Sequence, residues 1–221
     1  MHVTYRGFLT ATLSLSVGLA GCAGMGESVE SGFFYKNLTV ADGSAAAGEG
    51  NNILFKGSPL MLAGSAVKTG DSLRDVKVAQ TDLAMINIAH TKGEGKVRII
   101  SIVPSLDTPV CEQQTHFLSE KNKGLDKMIE LITVSVDTPF AQQRFAKEAK
   151  IDNVTFLSDY RGGDFGKTHG LFLKDVHILA RAVMVVDQHN TIRYLQITPE
   201  LTHLPDMEEA FRFARSLITA S

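Results

Sequence analysis

Among side chains able to act as nucleophiles, thiols are scarce in this 221-residue chain, which holds only Cys22 and Cys111. Cys111 ends the stretch Pro104-Ser105-Leu106-Asp107-Thr108-Pro109-Val110-Cys111, which joins an apolar β-like run, Val97 to Val103, to a helix-like run beginning near Val110. Thr108 followed by Pro109 reads as a helix start, a hydroxyl N-cap with proline at the first helical position. Cys111 then falls in the first turn. Unpaired backbone N–H groups and the positive end of the helix macrodipole favour a thiolate over a thiol there. The competing reading is a small buried hydrophobe without reactivity. Thr108 and Pro104 weigh against it: the hydroxyl can hydrogen-bond a thiolate and an oxygen substrate, and the proline can pack over the sulfur and restrict water.

Cys22 has a different context. Gly7 to Gly21 carries no charged residue, follows a weak n-region of His2 and Arg6, and ends in Leu19-Ala20-Gly21-Cys22. The run is too short to span a bilayer and suits the h-region of a secretion signal. The tetrapeptide resembles the bacterial lipoprotein signal, in which the cysteine is acylated and becomes the first mature residue; the alternative is ordinary cleavage nearby. Residues 1–21 are therefore expected to be a lipoprotein-type signal peptide. Acylation at Cys22 would anchor the protein, each buried CH₂ contributing ~0.8 kcal/mol. Residues 22–51, rich in Gly and Ser, read as a flexible tether, and 52–221 as the folded domain.

Within that domain, Ile53-Leu54-Phe55 and Leu60-Met61-Leu62 flank Lys56-Gly57-Ser58 as a hairpin. Val76–Ala79 and Met85–Ala89 are weaker strand candidates. Val97–Val103 is apolar on both faces beyond Arg98, as in a buried central strand. A helix follows to about Lys121. Met128–Val136, Asp137-Thr138-Pro139 and Phe140–Lys150 repeat the order of strand, capped start and helix. Val154–Leu157 reads as a short strand and Asp164–Gly170 as a short helix. Ile178–Val186 and Thr191–Ile197 pair across Asp187-Gln188-His189-Asn190, and Pro205 opens a closing amphipathic helix. Two strand–helix units favour parallel strands with right-handed crossovers. The fold class expected is α/β: a thioredoxin-like sandwich, with a central mixed β-sheet flanked by helices and an N-terminal β-hairpin.

Pro-x-x-x-Thr-x-x-Cys, here Pro104, Thr108 and Cys111, resembles the active-site signature of the peroxiredoxins. The likeness narrows to the bacterial thiol peroxidase branch through the loop 104–111, the helix segment Pro139-Phe140-Ala141-Gln142-Gln143-Arg144-Phe145 and the strand segment Ala180-Arg181-Ala182-Val183. It covers roughly residues 52 to 219. The resemblance implies a thiol-dependent peroxidase acting on hydrogen peroxide or small organic hydroperoxides. Cys111 would be the peroxidatic nucleophile, forming a sulfenic acid. Thr108 would hydrogen-bond thiolate and peroxide, and Arg181 would stabilise charge along the breaking O–O bond. A surface arginine is the other reading of Arg181, made less natural by its apolar neighbours.

The branch usually carries a resolving cysteine just after an Arg-Phe pair, whereas Ala146 follows Arg144-Phe145 here. With Cys22 acylated, an external thiol or thioredoxin-like reductant would have to reduce Cys111, a one-cysteine cycle. The competing function is a non-turnover redox sensor or thiol-dependent binding lipoprotein that uses Cys111. The domain is expected in the cell envelope, lipid-anchored and facing the periplasm, and the family's frequent homodimers extend the expectation to a dimer.

Other chemistries are disfavoured. The formal net charge is −2 and no two basic residues are adjacent, unlike a nucleic-acid footprint. The seven histidines lack paired metal-ligand spacing, no Cys-x-x-Cys exists, and the glycines lack a dinucleotide-loop context. Neither metal nor cofactor is expected.

Overall fold

The computed structural model describes residues 1–2 and 32–219. Its contacts divide the chain into Met1–Phe33 and Phe34–Ser221. The second unit carries the elements below; residues 3–21 of the expected signal, and Cys22, lie outside the described residues.

The hairpin pairs β1 (Asn52–Phe55) with β2 (Ser58–Ala63), followed by β3 (Lys77–Ala79) and β4 (Met85–Asn87). The two strand–helix repeats come next: β5 (Arg98–Ile102) with α1 (Pro109–Glu120), then β6 (Glu130–Ser135) with α2 (Pro139–Glu148). The chain continues through β7 (Thr155–Ser158), α3 (Asp164–His169), β8 (Phe172–Leu173) and β9 (Ile178–Leu179). It ends in β10 (Ala182–Val186), β11 (Ile192–Ile197) and α4 (Met207–Thr219).

Seven strands form the central sheet in the order β11-β10-β5-β6-β7-β3-β4. β5, β6 and β7 are parallel, as the repeated strand–helix order requires, and the outer pairings are antiparallel. Because side chains alternate along a strand, this sheet supports two apolar layers. Ile100, Ile102, Ile132, Val134 and Met184 pack with Phe165 of α3 on one face. Ile99, Leu131, Val183 and Val185 pack with Leu118 of α1 and Phe211 of α4 on the other. This is the sandwich expected from the sequence.

The expectation of a single strand over 178–186 is corrected. β9 pairs with β8 in a separate four-stranded sheet, β1-β2-β8-β9, whereas β10 pairs with β5 and β11. Ala180 and Arg181 form the crossing between sheets, so Arg181 lies where the chain changes partners.

The flexible tether expected over 22–51 is also corrected from Phe34 onward. Ala41 N–H donates to Leu204 C=O at 2.8 Å, Ala45 N–H to Ile197 C=O at 2.9 Å, and Gly48 N–H to Gly170 C=O at 2.8 Å. A Cβ on Gly48 would lie 2.7 Å from the Ala66 Cβ, and its φ is +91°. That glycine serves close approach rather than freedom.

Arg98, the one charge in the strand read as apolar, is fully buried. Its Nη1 donates to the Ile88 and Ala89 carbonyls at 3.1 and 3.2 Å, and Nη2 to Asn190 Oδ1. It stands in register with Glu130 across β5 and β6. Burial lowers the Arg98 pKa from its ordinary value, and the Glu130 charge acts against that shift.

Candidate active site

The loop between β5 and α1 is held by one carboxylate from the second strand–helix turn. Asp137 accepts from Ser105 Oγ and from Leu106 N–H, both at 2.7 Å. Its own carbonyl accepts from Ser158 Oγ. Charge-assisted bonds of this kind are about twice as strong as neutral ones, so the second turn sets the path of the first. Pro104 is buried in this loop.

Thr108 has the extended backbone of an N-cap, φ −115° and ψ 141°, with Pro109 at the start of α1. Its side chain makes no capping bond. Both its N–H and its hydroxyl donate to the Ser105 carbonyl, at 3.2 and 3.1 Å. The expected hydrogen bond from this hydroxyl to the sulfur is thus replaced by a turn-closing bond, and Thr108 is exposed.

Cys111 is 0% exposed, one turn into α1. Arg181, 2% exposed, brings Nη2 to 3.4 Å from Sγ. Two further bonds hold the guanidinium. Nε donates to Leu201 C=O at 2.9 Å, and Nη1 to Gln114 Oε1 at 2.8 Å. Gln114 is itself fixed, its Nε2 donating to Ser101 Oγ at 2.8 Å and lying 3.3 Å from the Ala182 carbonyl. The cation therefore meets the sulfur in a set orientation and away from water, where an electrostatic interaction is strongest.

The sequence reading missed Gln114. It lies three positions after Cys111, on the same helical face, and a fully buried glutamine there needs partners. Gln114→Leu is expected to lower the rate of Cys111 oxidation by peroxide roughly 10- to 100-fold, because a slack guanidinium loses its geometry. Stopped-flow oxidation of the variant checks this. A rate within twofold of the parent would show that Leu201 alone positions Arg181.

The Redoxin family matches residues 68–211. That range contains Pro104, Thr108, Cys111, Gln114 and Arg181. The chain belongs to the Redoxin family, among the thiol peroxidases. The thiol peroxidase of Halalkalibacterium halodurans is 40% identical over 167 residues, covering 76% of this chain and 99% of the relative. That of Streptococcus pneumoniae strain R6 is 38% identical over 165 residues, covering 75% and 99%. Among solved structures, a peroxiredoxin-like protein from Aquifex aeolicus is 33% identical with a TM-score of 0.68, covering 79% of this chain and 99% of that one. A thiol peroxidase from Chromobacterium violaceum, 18% identical with a TM-score of 0.65 over 77% of this chain and 98% of that one, shares the fold.

In this Redoxin-family chain, Arg144 pairs with Asp107 at 3.3 Å on the surface. Exposed pairs of that kind contribute little. Ala146 is half-buried in α2 beside Phe145 and packs on the apolar layer of α1. Cys111 is the free cysteine among the described residues.

Proposed function

We propose that the protein reduces hydrogen peroxide or small organic hydroperoxides through Cys111 in a one-cysteine cycle. The approach of Arg181 Nη2 to Sγ at 3.4 Å carries this reading. The Cys111 thiolate attacks one peroxide oxygen along the O–O axis. An S–O bond forms, the O–O bond breaks, and the departing oxygen takes a proton and leaves as water or alcohol. Sulfur ends as sulfenic acid. Arg181 meets the negative charge that shifts from sulfur towards the departing oxygen, and its fixed orientation means little reorganisation is needed.

An external thiol then attacks Sγ. Water leaves and a mixed disulfide forms, which a second thiol resolves to free Cys111 and an external disulfide. Ala146 and the absence of any cysteine beyond Cys22 and Cys111 support this route. They equally support the sensor reading, in which the mixed disulfide with a partner is the end state.

The discriminating experiment mixes the full chain, carrying Cys22→Ser and held in detergent, rapidly with hydrogen peroxide, beside the same chain with Cys111→Ser. Oxidation far faster than that of free cysteine, absent in Cys111→Ser, is the expected result. A rate like that of free cysteine rules out the peroxidase. Fast oxidation with no recovery under monothiol, dithiol or thioredoxin-type donors favours the sensor.

The sequence at 19–22 supports acylation of Cys22, and with it a lipid-anchored domain facing the periplasm. Cys22→Ala is expected to release the protein into the soluble fraction; persistent membrane association refutes the anchor. Light scattering reads out the homodimer that the family resemblance suggests.

A further inference from the structure

We infer that residues 34–36 form a strap that holds the first turn of α1 wound, and that Gln113 is the positioning residue through which it governs access of a reducing thiol to Cys111. The inference rests on the peroxidase reading above and concerns its reductive half.

Gln113 follows Cys111 by two positions and is 4% exposed. Its side chain bonds the backbone of Lys36 twice, accepting from Lys36 N–H and donating to Lys36 C=O, each at 2.8 Å. The amide thus acts as a short strand partner for Lys36. One residue earlier, Tyr35 OH donates to Glu120 Oε2 at 2.8 Å, its ring meets Phe117 edge-on at 6.1 Å, and Lys121 Nζ lies 4.7 Å from the ring centroid. The far end is tied as well: Leu204 N–H donates to Thr39 C=O, and Ala41 N–H to Leu204 C=O, both at 2.8 Å. Leu204 belongs to the short segment whose Leu201 carbonyl holds Arg181.

The two halves of the cycle ask different things of this arrangement. Peroxide is small and reacts with the sulfur where it lies, beside Arg181. An external thiol must bring its own sulfur into line with Sγ, and Sγ belongs to a residue with no exposed surface. The first turn of α1 must therefore unwind. In an α-helix the N–H of Gln113 pairs with the C=O of Pro109, so unwinding displaces Gln113 and pulls its side chain off Lys36. In the reduction the thiol sulfur bonds to Sγ as the S–O bond breaks and water departs, and a second thiol then releases Cys111 as the external disulfide forms. Each of these attacks requires the open turn.

The test uses the full chain with Cys22→Ser, in detergent, pre-oxidised with one equivalent of hydrogen peroxide and then mixed with glutathione. Quenched samples are read by mass spectrometry, since the chain has no tryptophan to report the change. Gln113→Leu is expected to raise the rate of sulfenic-acid reduction about tenfold, equivalent to ~1.4 kcal/mol, while oxidation by peroxide stays within about twofold. Gln113→Glu keeps the bond from Lys36 N–H and should fall between. Tyr35→Ala loosens the strap away from the site, changes the same rate in the same direction, and serves if Gln113→Leu folds poorly. Unchanged reduction in both Gln113→Leu and Tyr35→Ala overturns the inference. So does a joint fall of both half-reactions, which marks Gln113 as part of the pocket's frame. Slow oxidation of the parent itself removes the peroxidase reading, and this inference with it, whatever the variants do.

Discussion

Arg181→Met is expected to lower the second-order rate of Cys111 oxidation by peroxide about 100- to 1,000-fold, the loss typical of one preorganised charge-stabilising donor. Methionine fills similar space and keeps the sulfur dry, so the effect isolates charge and hydrogen bonding. The cation is in place before substrate arrives, because Leu201 C=O and Gln114 Oε1 hold two of its nitrogens and leave Nη2 for the sulfur. Arg181→Lys keeps the charge but offers a point ammonium on a flexible stem, unable to meet three partners in one plane. It should recover only part of the rate. Stopped-flow oxidation at several peroxide concentrations measures both variants. Urea unfolding must accompany it, since the orphaned Leu201 and Gln114 acceptors each cost ~1–3 kcal/mol if buried and unpaired. A variant that stays folded and loses less than about threefold would show that the helix terminus suffices to activate Cys111.

What the sequence made legible follows from how local each signal is. Thr108-Pro109 and Thr138-Pro139 announce helix starts within two residues, and α1 and α2 begin at those prolines. The strand between Val97 and Val103 stands out because it is apolar on both faces, which β5 requires between β10 and β6. The sheet change at Ala180-Arg181 left no such trace. Both sides of the break are apolar, and period-two alternation carries no record of which sheet a strand joins. Arg181 consequently read as one charge within a strand, when it is a buried side chain at a crossing.

The segment 34–51 misled for a related reason. Glycine and alanine suit a linker by composition, yet here small residues let backbones meet, as Gly48 does at Ala66. Gln113 and Gln114 are neighbours of one type with opposite duties, one gripping Lys36 outside the helix and the other Arg181 beneath it. Side-chain type alone does not separate them. Arg98 and Glu130 are alike in this: each lies buried in an apolar strand, and partners distant in sequence, the Ile88 and Ala89 carbonyls for Arg98 and Thr91, Gly93 and Thr155 for Glu130, satisfy them.

Two buried groups at opposite ends of α3 lead to the second large prediction, a stability profile in which their pH dependences cancel. His169 is 0% exposed; Arg74 N–H donates to its Nε2 at 3.2 Å, and its Nδ1 lies 2.9 Å from Phe165 C=O. Burial lowers its pKa from 6.5 to about 4. The fold holds the ring neutral, so its contribution is complete above pH 6.5 and is lost as pH falls towards 4, where the unfolded chain binds the extra proton. Asp159 accepts from Phe165 N–H and Gly166 N–H, both at 2.9 Å, yet burial outweighs those bonds and raises its pKa from 3.8 to about 6. Here the fold favours the protonated form, so the contribution is complete below pH 3.8 and is lost as pH rises through 6.

Between pH about 4 and 6 each group changes stability by up to ~1.4 kcal/mol per pH unit, with opposite sign. Asp159→Asn should therefore uncover the histidine: relative to the parent, which alone keeps the aspartate's gain, the variant loses ~3 kcal/mol as pH falls from about 6 to 4. His169→Gln should uncover the aspartate, gaining ~3 kcal/mol relative to the parent as pH falls from about 6.5 to 4, where the parent alone bears the histidine's loss. Urea unfolding of the three proteins at pH of about 4.5, 5.5, 6.5 and 7.5 gives the differences directly. Common ionisations elsewhere drop out of each difference, so opposite slopes in the two variants are the signature. Parallel curves for all three would mean that water reaches both groups and that α3 closes over neither.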